Sequence, residues 1–243
     1  MPAVYEPYRP QNELQAIVPG IWTAEGPAVG YQTAGVNLPC PTRMTVLDMG
    51  GGNLLLHSPI AFDAALANAI AETGKVAAIA APNSFHYLGV TPWAEHFADA
   101  AVYAPAKRPK AAKLPERTIA LIDGRLSTNV EIVIADGGAW MEAAFFHRPS
   151  KTLVLTDLVQ NFETSRVNSW LARVMLRIGG AASNPPKASI DMRLGPILGG
   201  QTKQLRQSFD EIIALGADRV LIAHGPHPEG DVTTLLKHSF SWA

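Results

Sequence analysis

Three histidines and one aspartate follow short apolar runs that read as strands, and each stands where its run gives way to a loop: His57, His86 a few residues beyond its strand, Asp157 and His224. In layered α/β folds ligands sit at the carboxyl ends of strands, so a recurrence of imidazole and carboxylate there points to one shared site. Two imidazoles and a carboxylate make three protein donors and leave a coordination position for water, which is what a catalytic metal requires. Histidines at strand ends also hydrogen-bond loop backbone with no metal involved, so spacing alone leaves both readings open.

Hairpin geometry sorts the remaining candidates. His147 sits in the turn HRPSK, and Asp157 lies about six residues down the returning strand, roughly 20 Å away at about 3.3 Å per residue. The residue brought alongside Asp157 is Glu142, near the start of the partner strand, where it is either an exposed carboxylate or a group that orients a ligand. His96 on the polar side of a helix and His238 near the C-terminus read as surface residues, while His227 is within reach of the site through the His224 loop. Trp93, Trp140 and Trp170 either wall an apolar pocket or pack the core, and the Arg166, Arg173, Arg177 stripe reads as a solvated face.

The elements that must position these groups alternate. A Gly/Pro-punctuated opening around Ile17 to Val29 suggests short edge strands, and Arg43–Met49 with Leu54–His57 form a hairpin through Gly50-Gly51-Gly52-Asn53. Phe62, Ala65, Leu66, Ala69 and Ile70 mark a helix stopped at Gly74, Val76–Ala81 is a buried strand, and Pro92 starts a second helix. Strand, helix, strand, helix makes the strands before His57 and His86 parallel, with their loops at one sheet edge. Ala101–Ala104 is a short strand and 105–116 an exposed basic connection. Thr118–Ile122, Val130–Ile134, Met141–Phe146 and Thr152–Leu155 form a β-meander. Val167, Trp170, Leu171, Val174, Met175 and Ile178 make a helical stripe, 181–200 reads as a flap or packed irregular loop, and Leu205–Ile213 is a helix before the strand Arg219–Ala223.

With 243 residues, 47% of them hydrophobic, the chain can bury one sizeable core, and it reads as a single domain, 1–243, with residues 1–16 as an extended arm and 159–200 as a helical and irregular insertion. Charged residues make up 17% and balance to −1, so neither nucleic acid nor a membrane is an expected partner; a small molecule is. Cys40 is the sole cysteine, and no signal-peptide pattern opens the chain, so the cytoplasm is the expected location.

The order of hairpin, HSPI turn, helix, APNSFH strand and loop, β-meander, LTD, helix and LIAHG resembles the metallo-β-lactamase fold, a four-layer αββα sandwich, from about Ile17 to His227. More narrowly, PTRMTV, LHSPI, FFHRPSKTLVLTDLVQNF and AHG resemble a branch of that superfamily whose metal-binding motif is degenerate. The superfamily motif is His-x-His-x-Asp-His, followed by a separate His, a bridging Asp and a final His. With its last His on His86, the other three positions hold Ala81, Asn83 and Phe85, and ADGGAWMEAAFF offers no separate His. Asp157 matches the bridging aspartate and His224 the final histidine.

The resemblance therefore implies His86, Asp157 and His224 as the metal set, holding one zinc or iron ion or none, and excludes a two-metal hydrolase. The function it implies is a mononuclear metal-dependent hydrolase of a small ester, lactone or amide. Asp157 would orient water, with His57 or Glu142 standing in for the general base lost at Phe85. The alternatives are a non-catalytic binding protein and a non-haem iron oxidoreductase, since two histidines and a carboxylate also suit iron.

Overall fold

The computed structural model describes residues 5–33, 35–107 and 113–243. The start of the expected N-terminal arm and the centre of the basic 105–116 connection lie outside the described residues. The first sheet runs in chain order through β1 (Gln15–Val18), β2 (Ile21–Thr33), β3 (Val36–Gly50), β4 (Asn53–His57), β5 (Lys75–Ala80), β6 (Ala101–Ala104) and β7 (Ile119–Ala120). The first four strands pair antiparallel and the last four parallel, so β4 and β5 point the same way and their following loops emerge together.

The second sheet is ordered β12 (Arg219–Ile222), β11 (Thr152–Leu155), β10 (Met141–His147), β9 (Val130–Asp136) and β8 (Gly124–Arg125). Its β10–β11 hairpin sets His147 opposite Thr152 and Phe145 opposite Val154, a register that carries Glu142 toward Asp157. Inward-facing side chains of both sheets, among them Leu47, Leu55, Ala80, Phe145, Val154 and Leu221, form the central core.

Helices cover both outer faces. Leu66 and Ile70 of α1 (Ala64–Thr73) and Trp93 of α2 (Val90–His96) pack on Leu54, Leu56 and Ile79 of the first sheet. Phe209 and Ile212 of α5 (Thr202–Ala214), after the intervening α3 (Trp170–Gly179) and α4 (Ile190–Gly199), and Leu236 of α6 (Val232–Ser239) cover the second sheet. The result is the expected αββα layering. Asp63 caps α1 by accepting the Leu66 N–H at 2.9 Å, and Asp231 caps α6 through Thr234 at 2.7 Å.

Several expectations need correction. The opening strands are long: β2 and β3 span 13 and 15 residues, with Pro27 accommodated where the register shifts between Gly26 and Val29. The strand expected at Thr118–Ile122 shrinks to two residues. Residues 190–199 of the expected irregular stretch form α4 despite an internal Pro196. Proline deprives the Met192 carbonyl of its helical donor, and the indole N–H of Trp140 supplies one instead at 2.8 Å. The apolar stripe of α3 is helical as expected, yet only Ala172 and Leu176 of that helix are buried, while Trp170 is 74% and Ile178 76% exposed.

Candidate metal centre

At one end of the sandwich the loops after β4, β5, β11 and β12 converge, as the parallel pairs require. His86 Nε2 lies 3.2 Å from Asp157 Oδ2, His224 Nε2 lies 3.2 Å from Asp157 Oδ1, and the two imidazole nitrogens are 3.1 Å apart. Among the described residues these three side chains form the one cluster able to hold a metal ion.

Each member is held from behind. His224 Nδ1 donates to the Pro41 carbonyl at 2.7 Å, which aims Nε2 at Asp157 and the His86 ring. Ser58 Oγ sits 2.6 Å from His86 Nδ1 and performs the matching service; Ser58 itself is in the left-handed region at φ 55°. Asn83 donates to Asp157 Oδ2 at 2.6 Å and Gln160 to Oδ1 at 2.7 Å, fixing the carboxylate plane. Gly225, at φ 92°, lies so close to the Asn161 carbonyl that any side chain would collide, and this contact seats the loop after β11 against His224.

Burial alone would raise the Asp157 carboxyl, yet the imidazoles of His86 and His224 hold it well below the usual carboxylate range. Burial likewise disfavours a charged His224, but the Cys40 sulfur, 3.4 Å from Nδ1, and Asp157 outweigh it and raise its pKa well above the ordinary imidazole value. Asp157 thus sets its negative charge between the two imidazoles, 3.2 Å from each.

A zinc ion about 2.0–2.1 Å from each of its donors in a tetrahedron separates those donors by about 3.3 Å. The two imidazole nitrogens, 3.1 Å apart, are close to that separation, and each lies 3.2 Å from a different oxygen of Asp157, so that one ligand atom from each residue falls within 4.8 Å of the others. Two imidazoles and one carboxylate, oriented by neighbouring hydrogen bonds, are the donor chemistry such an ion takes.

The two other catalytic candidates stand elsewhere. His57 points into the space between the sheets, 1% exposed and edge-on to Phe145 at 4.8 Å, and is absent from the cavity wall. Residue parity on β4 puts it beside Leu55, on the inward side. Burial and the nearby His86 push its pKa down to about 3, so it is neutral. Glu142 is fully buried and accepts the N–H groups of Thr156, Asp157 and Leu158 at 2.8, 2.9 and 3.4 Å, plus Asn83 Nδ2 at 3.1 Å. Burial, reinforced by Asp157, raises its carboxyl, against those donors. It positions the loop that carries Asp157 and has no path to a substrate.

His96 and His238 fall where the sequence reading puts them; His147 is the buried last residue of β10 rather than a turn residue, though far from the site, and His227 does not reach the site. It turns away from the site, its Nδ1 accepting the Ile222 N–H at 3.2 Å. His96 and His238 are exposed. His147 closes the far end of β10, where Nδ1 lies 2.7 Å from Ser150 Oγ. The His147→Ala protein is therefore expected to take up metal as the parent does, measured by elemental analysis after gel filtration.

A cavity of about 880 Å³ opens over the three donors. Its wall is mostly apolar, built by Phe85, Tyr31, Phe162, Met175, Ile190 and Met192 among others. None of Trp93, Trp140 and Trp170 lines it: the first two are core residues and the third faces solvent. Tyr31 donates to Asp191 at 2.8 Å across the rim and meets Phe85 edge-on at 6.4 Å. Ser58, Asn83 and Gln160 are the positioning residues that motif reasoning missed; Gln160 had one signal, its place three residues after Asp157.

No family model matches the chain, and comparison with curated protein sequences finds no match. Solved structures do match. The chain is similar to the DIM-1 metallo-β-lactamase with a TM-score of 0.60 at 15% identity, covering 96% of each chain. It is also similar to a metallo-β-lactamase from Hirschia baltica, with a TM-score of 0.57 at 12% identity over 95% of this chain and 96% of that one. The metallo-β-lactamase FIM-1 from Pseudomonas aeruginosa, in its mono-zinc form, gives 0.53 at 15% identity over 94% of each. The agreement extends over nearly the whole sandwich, both sheets with their covering helices, and by it this chain has the metallo-β-lactamase fold.

Proposed function

We propose that the chain is a mononuclear metal-dependent hydrolase of a small, largely apolar ester, lactone or amide. The observation that carries this reading is the cluster of His86, His224 and Asp157, one ligand atom from each lying within 4.8 Å of the others, at the base of an apolar cavity. The mono-zinc form of FIM-1 is a precedent for a single ion in this fold.

An ion bound there would act as a Lewis acid on a substrate carbonyl and acidify water. The chain's own residues do the rest. Ser58 and the Pro41 carbonyl fix the imidazoles, Asn83 and Gln160 fix Asp157, and the apolar wall takes the acyl group and excludes bulk water. Asp157 is also placed to orient that water.

A second reading, a binding protein without turnover, draws support from the withdrawal of Glu142 and His57 from the cavity. The carboxylates left on its wall are Asp157 and Asp191, the latter at the rim under Tyr31. Elemental analysis of protein purified without chelator, followed by turnover of short-chain aryl esters, lactones and amides, separates the two. The hydrolase reading expects about one equivalent of zinc and metal-dependent hydrolysis. Less than about a tenth of an equivalent, with no uptake on titration, sinks it, because three oriented donors bind tightly. Iron in place of zinc would redirect the reading to oxidation.

A further inference from the structure

Exposed apolar side chains on this molecule are gathered in one place. Among the described residues 14 large hydrophobics are exposed, and twelve of them lie on α3, on α4 or on the wall of the cavity. Scattered exposure of this kind needs no explanation, whereas concentration on one face marks an interaction surface. On α3 the exposed set is Trp170, Leu171, Val174 and Ile178, one stripe at helical spacing. On α4 it is Ile190, Leu194, Ile197 and Leu198, the same spacing again. The two stripes meet at the cavity mouth, where Ile178 and Ile190 both line the wall and a Cβ on Gly179 would touch Ile190 at 3.8 Å. Apolar surface is thus continuous from the outer face of both helices down to the triad.

The same segment is basic. Residues 163–207 hold seven Lys and Arg against two Asp and Glu, while the rest of the chain holds thirteen against nineteen. Arg173 and Arg177 flank the α3 stripe, Lys187 and Arg193 stand at and before α4, and Lys203 and Arg206 are exposed on α5. Net charge near zero for the whole chain conceals this division. An apolar stripe bearing a tryptophan, bordered by Arg and Lys, is the pattern of a helix that lies in the plane of a bilayer surface. Each helix, ten residues and about 15 Å long, is too short to cross the roughly 30 Å hydrocarbon layer. Among the described residues no helix is long and apolar enough to cross a membrane.

We propose that the α3–α4 face docks on an anionic lipid surface, with the mouth of the apolar cavity turned toward the lipid. Charge decides the occupant: a second copy would bring the same basic segment against itself, whereas anionic headgroups complement it. Docking in this orientation would let an acyl chain pass from the bilayer into the cavity without crossing water. The proposal goes beyond the hydrolase reading and stands without it, because docking needs neither metal nor turnover.

The test is co-sedimentation of the full chain with vesicles of equal parts phosphatidylcholine and phosphatidylglycerol, against phosphatidylcholine alone. Binding to the anionic vesicles is expected to be about tenfold tighter or more, and to weaken as salt rises. The Trp170→Ser, Leu198→Ser double variant removes exposed side chains only, so it folds, and it should lose about tenfold or more of that binding. Ile122→Ser, which removes an exposed apolar side chain that belongs to neither helix nor the cavity wall, should bind as the parent does. No sedimentation with either vesicle overturns the proposal, as does undiminished binding of the double variant. So does a dimer by light scattering that the double variant dissolves, since the face would then belong to a second copy. A chain that docks yet takes up no metal upholds this inference and sinks only the hydrolase.

Discussion

Exchanging His224 for alanine is expected to abolish metal uptake: zinc titrated into the variant competes with a chromophoric chelator no better than buffer does. The side chain supplies one of three donors, and its loss leaves an imidazole and a carboxylate with no third protein ligand. A residue that merely supports a ligand costs about 10–100-fold in affinity when removed, so a direct donor should cost more than about 100-fold. Ser58→Ala, which leaves every donor in place and removes only the hydroxyl 2.6 Å from His86 Nδ1, should fall in the lower range. Equal uptake by His224→Ala and the parent would mean that the ion sits elsewhere. Equal loss in both variants would mean that the pocket has collapsed, which circular dichroism checks directly.

The largest effect on stability is expected from Glu142→Ala. The carboxylate is fully buried and accepts three successive backbone N–H groups of the loop after β11. Alanine would leave those donors without partners, at about 1–3 kcal/mol each before any relaxation or water entry. Because the three share one acceptor the costs do not add fully, and about 3–5 kcal/mol is expected, a drop of roughly 10 °C in Tm for a chain of this size. Scanning calorimetry measures it. A Tm within a degree or two of the parent would show that the loop is held by other contacts.

Much of the layout was legible because it follows from local rules. The HRPSK turn fixes the β10–β11 register, and with it the meeting of Glu142 and Asp157, by counting along two strands. The parallel pairing of β4 and β5 followed from the helix between them. What could not be read was decided by contacts remote in sequence or by direction. Helix α4 survives its proline because Trp140, 52 residues earlier, supplies the lost donor. Periodicity on α3 identified a stripe but carried no information on whether it faces core or solvent. His57 ends a strand as expected, yet the parity of that strand aims it between the sheets, one residue away from the useful side.

Asn83 makes its position hard to convert into a metal ligand. Its amide nitrogen reaches Glu142, Thr156 and Asp157 at 3.1, 3.0 and 2.6 Å, and its oxygen accepts the N–H groups of Phe85 and His86 at 2.8 and 3.0 Å. The residue standing where the resemblance puts a histidine ligand is the tie between the loop after β5, Glu142 of β10 and Asp157. Placing an imidazole there would strip these bonds before any second ion could bind, so the single substitution is a loss. Building a second metal position here would need Ala81, Asn83 and Phe85 to change together with the contacts that depend on Asn83, so the same side chain that braces Asp157 and His86 stands in the way of a second ion.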